Sequence, residues 1–146
     1  MRWVEQAAMD LEVATKLAET HPNVGCFMAQ QAAEKAMQGV LLALGEKPAR
    51  THSVVDRDDR LPQLQGLLGE RDGFLLLDLY YIPTRYPDAL PGAIPARHFS
   101  AGQARQAARL AEQAVGACAQ ALERMRERFT AGSPPGGETT ETSGPG

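Results

Sequence analysis

Apolar residues recur every three or four positions in two long stretches at the start of the chain, and this spacing predicts two amphipathic helices. The first covers about residues 2–20 and ends before Pro22, because proline disfavours helical backbone in the residue that precedes it. The second begins at about Asn23, a favourable N-cap, and ends at Leu44, with Gly45 as its C-cap. Its apolar stripe is broad, which indicates burial against several other helices.

The rest of the chain predicts two shorter helices and one long one. Thr51 or Ser53 can cap a third helix, which Pro62 breaks or restarts. Residues 74–81 are almost entirely apolar; periodicity alone would also allow a buried strand, but the helical neighbours favour a fourth helix. After a segment with several prolines, Ser100–Gln103 forms a capping box that opens a long alanine-rich helix.

These elements predict an all-α, antiparallel up-and-down bundle of four to five helices. The alanines of the last helix permit close approach of another helix, from the same chain or from a second copy. We assign residues 1–130 to this helical domain, which is long enough to bury one core. Residues 131–146 contain no lysine, arginine or large apolar side chain and are rich in Gly, Pro, Ser and Thr, which predicts a disordered tail.

Composition and charge narrow the classes of function. The net charge of −3 argues against a general nucleic-acid binder, but the charge is unevenly distributed. Residues 56–78 carry three arginines against six carboxylates, and residues 79–111 carry four arginines against one aspartate. The basic stretch can serve a phosphate ligand or an acidic partner, or it can be a solvated helix face.

Targeting and metal-binding signals are weak throughout the sequence. No apolar run is long enough to span a membrane, and the N-terminus lacks the apolar core of a signal peptide, so we expect a cytoplasmic protein. Cys26 and Cys118 stand far apart and fit small-residue positions on helix faces, and the three histidines are not clustered. We therefore predict no metal site and no cofactor.

One candidate site lies on the second helix, where Gln31, Glu34, Lys35 and Gln38 form a polar stripe at i, i+3, i+4 and i+7. This stripe can line a groove, with Lys35 on a phosphate and Gln31 on a base edge. It can equally be the solvent edge of a core helix or a polar seam with another helix, and the spacing favours this structural interpretation.

A second candidate combines His52 with the stretch YYIPTRYPDAL at residues 80–90, which holds all three tyrosines of the chain. His52 lies at a helix N-terminus, whose free N–H groups can hold an anion, although a lone histidine there can simply cap the turn. Arg85 can make bidentate contacts to a phosphate, and Tyr86 can stack on a base. Alternatively, Arg85 pairs with Asp88 or a glutamate and fixes an irregular loop on the bundle.

Catalytic motifs give no further guidance, because the sequence has no Gly-rich phosphate loop, HExxH, GxSxG or serine–histidine–acid arrangement. The segments QQAAEKA at 30–36, THS at 51–53 and RYPD at 85–88 occur in an order and spacing that resembles the HEPN domain family. The resemblance covers about residues 3–128. It implies an up-and-down helical bundle that dimerises.

The resemblance also implies a small set of functions. Some HEPN proteins are metal-independent ribonucleases, often toxins of toxin–antitoxin pairs. They use an arginine and a histidine separated by four to six residues. Here Arg50 and His52 are separated by one residue, Arg85 and His98 by twelve, and Arg97 and His98 by none. We therefore predict no catalytic residues.

Other members of the family pair with a small nucleotidyltransferase and are thought to bind nucleotides or RNA. The leading expectation is a homodimeric binding module that associates with a separately encoded minimal nucleotidyltransferase, as in a toxin–antitoxin pair. The expected ligand is a nucleotide or an RNA phosphate, held by Gln31, Lys35, His52, Arg85 and Tyr86. A ribonuclease toxin and a purely structural dimer are the alternatives.

Overall fold

The computed structural model describes residues 1–48, 50–90 and 92–132. Within these ranges the chain forms six α-helices and two 3-10 helices, and no strand. The α-helices are α1 (Arg2–Leu17), α2 (Pro22–Ala43), α3 (Val54–Asp59), α4 (Arg71–Asp78), α5 (Pro95–His98) and α6 (Ala101–Ala131), and the 3-10 helices are Pro62–Leu64 and Pro87–Ala89. None of the described helices is long and apolar enough to cross a membrane. The predicted tail comprises residues 131–146, and residues 133–146 of it lie outside the described ranges.

The helices follow an up-and-down order, which confirms the predicted all-α bundle. Gly39 near the end of α2 faces Trp3 at the start of α1, so these two helices run in opposite directions. Gly25 near the start of α2 faces Ala104 at the start of α6, so the second and the last long helices run in the same direction. Helix α4 and the turn that follows it lead the chain back from the end of α2 to its beginning, where Asn23 donates a hydrogen bond to the Thr84 carbonyl at 3.1 Å.

Small side chains bring the long helices close together. Four alanines of α2 and four of α6 are completely buried: Ala29, Ala32, Ala33, Ala36, Ala104, Ala107, Ala111 and Ala114. Larger apolar side chains from the connecting segments, such as Phe74 and Leu77, fill the remaining core. Helix α2 is therefore covered on most sides, as its broad apolar stripe predicted. Polar side chains on α2 consequently have to find partners inside the protein.

The short elements differ from the sequence prediction more than the long ones. Ser53 caps α3 by accepting a hydrogen bond from the Asp56 N–H, and the predicted capping box at Ser100 is present. Helix α4 starts three residues earlier and ends three residues earlier than predicted, because Glu70 in extended conformation sets its start. The four-residue α5 was not predicted, because a single helical turn has no apolar periodicity. Pro95 at its first position allows the turn to begin.

Candidate functional site

A buried carboxylate on α2 organises the polar residues between α2 and α3. The Oε2 atom of Glu34 accepts hydrogen bonds from Gln30 Nε2 at 2.9 Å and from Gln31 Nε2 at 3.1 Å. Its Oε1 atom lies 3.0 Å from His52 Nδ1 and accepts a longer bond from Arg57 Nη2 at 3.4 Å. We call these five residues the Glu34 cluster. It joins QQAAEKA on α2 to THS before α3, so two of the three sequence segments meet here.

Arg57 is the buried cation of the Glu34 cluster, with only 3% of its surface exposed. Burial lowers the pKa of its guanidinium, and the nearby Glu34 carboxylate opposes this effect. Its Nε donates to Gln38 Oε1 at 3.3 Å and its Nη1 to the Ser53 carbonyl at 3.0 Å. The polar stripe of α2 is thus, at Glu34 and Gln38, a seam with α3, one of the two structural alternatives for that stripe.

The N-terminus of α3 is occupied by a carboxylate of the protein itself. Asp78 at the end of α4 accepts hydrogen bonds from the backbone N–H groups of Val54 at 2.6 Å and Val55 at 3.2 Å, and from Ser53 Oγ at 2.8 Å. The free N–H groups at this helix end, considered above as a site for a ligand anion, are therefore taken by the Asp78 carboxylate. This contact ties α4 to α3 and fixes the position of the tyrosine-rich turn.

That turn places an arginine among aromatic rings at the surface. The guanidinium carbon of Arg85 lies 4.3 Å from the ring centroid of Phe27, 4.6 Å from that of Tyr81 and 5.1 Å from that of Tyr86. The ring of His52 also stacks on Tyr81, with centroids 4.4 Å apart and an interplanar angle of 16°. We call these five residues the Arg85 platform. His52 belongs to both the platform and the Glu34 cluster.

The polar atoms of Arg85 remain largely open. Its Nε donates a hydrogen bond to the Tyr81 carbonyl at 2.9 Å, which fixes the plane of the guanidinium. Across residues 1–48, 50–90 and 92–132 we find no ion pair that includes Arg85, so the alternative pairing with Asp88 is not observed. Cation–π contacts hold the side chain instead. The two terminal nitrogens therefore present donors to solvent on an exposed surface.

The structure brings three of the five predicted site residues together and places the other two elsewhere. His52, Arg85 and Tyr86 come together on the Arg85 platform. Gln31 lies in the Glu34 cluster, where its amide also donates to Gln30 Oε1 at 2.7 Å. Lys35 contacts neither and pairs with Asp10 of α1 at 2.6 Å, although it lines a cleft of about 260 Å³ that reaches His52.

Sequence reasoning gave no individual site role to Phe27, Arg57 or Tyr81, and it named Glu34 only as a member of the polar stripe on α2. Helical spacing carried part of the missing signal. Phe27 lies four positions before Gln31 on α2, so the two share one side of that helix. Tyr81 lies four positions before Arg85 in the turn after α4, where Arg85 Nε donates to the Tyr81 carbonyl. Arg57 could not be found in this way, because its contact with Glu34 depends on how α3 packs on α2.

Groups suited to metal or thiol chemistry are not assembled in the described part of the chain. No three His, Cys, Asp or Glu side chains there lie close enough together to hold a metal ion. Cys26 and Cys118 are both buried, and burial raises the pKa of each thiol to about 12. Both thiols therefore stay protonated and pack as small apolar groups, as the sequence predicted.

Comparisons with known proteins agree with the geometry. The model of the HEPN domain family matches residues 1–127. Among solved structures, TT1696 from Thermus thermophilus is 37% identical with a TM-score of 0.72, and the match covers 82% of this chain and 94% of that one. ST0689, described as an archaeal HEPN homologue, is 27% identical with a TM-score of 0.68, covering 83% and 95%. The comparison with curated proteins found no significant match. The family model spans most of the sequence, and the chain therefore belongs to the HEPN domain family.

Proposed function

We propose that this HEPN protein is a homodimeric binding module that takes a nucleotide or an RNA phosphate on the Arg85 platform. One observation carries the proposal: the Arg85 guanidinium is positioned among three rings, while its terminal nitrogens have no protein partner in the described residues. An arginine that only fixed a loop would be expected to satisfy those nitrogens with a carboxylate or carbonyl group.

The platform combines the two contacts that a nucleotide requires. A planar guanidinium forms paired hydrogen bonds with phosphate oxygens, and exposed rings stack on bases without regard to sequence. Tyr86 is 51% exposed and the His52 side chain 57%, so both offer a free ring face. Because the rings already hold Arg85 in place, little side-chain freedom is lost when a phosphate binds.

Gln31 and Lys35 have smaller roles in this proposal. The Gln31 amide is already engaged by Glu34, and the Lys35 ammonium by Asp10. Either side chain has to exchange an internal contact for a ligand contact, which reduces its net contribution. We therefore expect Gln31→Ala and Lys35→Ala to weaken nucleotide binding less than Arg85→Ala.

The proposed partner is a separately encoded minimal nucleotidyltransferase, in an arrangement like that of a toxin–antitoxin pair. The sequence has no nucleotidyltransferase motif of its own, and the HEPN family contains such pairs. The adjacent reading frame is the first place to look for a short protein with Gly-Ser and Asp-x-Asp patterns. Sedimentation of the two purified proteins, separately and mixed, tests both the homodimer and the complex.

Isothermal titration with AMP, GMP, CMP and UMP tests the nucleotide site, with and without the partner. We expect binding to the wild type that is reduced at least tenfold in Arg85→Ala. Arg97→Ala serves as the matched control, because Arg97 is also exposed and lies outside the platform. Absence of binding both with and without the partner rejects the site and leaves a structural dimer. Equal losses of affinity in Arg85→Ala and Arg97→Ala lead to the same conclusion.

A ribonuclease is the second candidate, and one contact favours it. His52 and Arg85 are distant in sequence but both lie against the Tyr81 ring, and His52 Nδ1 is held by the Glu34 carboxylate. A histidine oriented in this way can exchange protons through its other nitrogen, and the arginine can stabilise charge on a phosphate. Incubation with RNA in EDTA tests this: cleavage that is lost in His52→Ala supports the enzyme, and absence of cleavage counts against it.

A further inference from the structure

A second surface lies far from the Arg85 platform, at the end of α2 where α6 passes the segment after α3. A groove of about 240 Å³ is lined there mainly by apolar side chains, with Gln63 and two arginines of α6 among them: Val40, Leu44, Leu64, Leu67, Met125, Gln63, Arg124 and Arg128. We call it the α6 groove. Leu44 and Leu67 are 42% and 55% exposed, so part of its apolar lining faces solvent.

The α6 groove continues along the helix. A neighbouring cleft of about 310 Å³ shares Leu64, Leu67 and Arg124 with it and extends to Glu112. The surface thus follows α6 from residue 112 to residue 128, a length of about 24 Å at 1.5 Å per residue. That length is suited to an extended secondary-structure element of another molecule rather than to a single small ligand.

The two arginines of the groove differ from the neighbouring Arg126 in having no ion-pair partner among the described residues. Arg124 and Arg128 lie one helical turn apart, and neither takes part in an ion pair with any residue the structure describes. Two like charges at this spacing weaken a helix slightly. Arg126, which does not line the groove, pairs instead with Glu123 at 3.7 Å. Both unmatched cations therefore border the exposed apolar lining.

We infer that the α6 groove is a docking surface for an amphipathic helix of a partner protein, with leucine-like side chains facing the groove and carboxylates facing Arg124 and Arg128. The apolar lining gives such a helix its main binding contacts. The two cations complement its carboxylates and set its orientation. A nucleic acid would use the arginines but would leave Leu44 and Leu67 exposed. The inference is independent of the function proposed for the Arg85 platform.

A synthetic helical peptide with Leu at i, i+3, i+4 and i+7 and flanking Glu residues is a suitable probe. Fluorescence anisotropy measures its affinity for the full chain, and NMR maps its position. We expect binding that weakens at least tenfold in the double variant Arg124→Glu, Arg128→Glu. Arg126→Glu is the control for a charge reversal on the same helix outside the groove, and it should bind as the wild type does.

Two further arms separate the docking surface from nonspecific attraction. Leu67→Ser should also weaken binding, and a peptide with Lys in place of Glu should bind at least tenfold less tightly. All the substituted residues are exposed, so circular dichroism should show an unchanged fold. The inference is overturned by equal losses in Arg126→Glu and the double variant, by equal binding of the two peptides, by shifts that map outside the groove, or by no binding at about 1 mM peptide.

Discussion

Glu34 shows how a single residue connects the fold to the site. The residue is 8% exposed, and its carboxylate receives donors from α2, from His52 and from Arg57. A buried guanidinium without a carboxylate has no compensation for its lost hydration. Glu34 therefore stabilises the packing of α3 on α2 and also fixes the ring of His52 for the Arg85 platform.

Replacement of Glu34 by glutamine keeps the shape of the side chain and removes its charge. We expect Glu34→Gln to lower the free energy of unfolding by about 3 kcal/mol, because Arg57 remains buried without a counter-charge. Urea denaturation measures the change. Glu12→Gln is the control, since the Glu12–Lys16 pair is exposed and should contribute little. Equal stability of the two variants would show that the Glu34 cluster does not stabilise the fold.

In contrast to the hydrogen-bonded Glu34, Tyr80 has a buried polar group without a hydrogen-bond partner in the described residues. Its side chain is 3% exposed, and within the described residues its hydroxyl makes no hydrogen bond. Burial raises the pKa of the phenol to about 12. We expect Tyr80→Phe to raise the free energy of unfolding by about 1 kcal/mol, because it removes an unsatisfied polar atom. Thermal unfolding should show no such gain for Tyr81→Phe, and a loss of stability in Tyr80→Phe would contradict this interpretation.

At the scale of residues, the sequence predicted the segments of the site better than their contacts. THS and RYPD led to His52 and Arg85, and the structure places both beside Tyr81. The choice of Lys35 rested on its charge and its place in the polar stripe of α2, and it could not anticipate Asp10, which lies on another helix. Local spacing carries information about neighbours on one helix, whereas ion pairs between helices depend on packing.

At the scale of elements, close helix packing depends on small residues at particular positions. A methyl group added at Gly39 of α2 would lie 2.9 Å from Cβ of Trp3 on α1. At Gly116 of α6 nothing lies within 4 Å of the same addition. The two glycines are both helical, yet only Gly39 is required for the contact between helices.

Alanine substitutions at these two glycines should therefore have opposite effects. We expect Gly116→Ala to stabilise the protein by about 1 kcal/mol, because alanine favours helix over glycine and meets no obstacle. Gly39→Ala gains the same propensity but pushes α1 away from α2, so we expect a net loss of about 1–2 kcal/mol. Thermal unfolding of both variants measures the difference. Stabilisation by Gly39→Ala would contradict the packing of α1 on α2.

Long elements were predictable because their apolar periodicity continues over many turns, as in α1, α2 and α6. The short α5 and the two 3-10 helices contain too few residues to show a period, and tertiary contacts decide their ends. The position of α4 depends in the same way on Asp78, whose carboxylate binds the N-terminus of α3. Those contacts are made between segments that sequence reasoning treats separately.

At the scale of the whole molecule, the bundle presents two different surfaces near opposite ends of α2. The Arg85 platform has exposed rings and a cation at the first half of α2, and the α6 groove has an apolar lining and two cations at its last turn. The all-α bundle follows from the sequence pattern, but neither surface does, because each combines residues from three or more segments. The separation lets ligand binding and partner docking be tested by independent variants.

NMR titration of the protein with AMP tests the central claim most directly, because it locates the ligand as well as detecting it. We predict that the largest chemical-shift changes occur at the Arg85 Nε–H group and at the rings of Tyr81, Tyr86 and His52. Arg85→Lys should reduce the changes at the three rings, since lysine keeps the charge but lacks the planar fork, whereas Arg97→Lys should not. Shift changes that are absent at millimolar AMP, that lie away from the platform, or that are undiminished at the rings in Arg85→Lys would contradict the account.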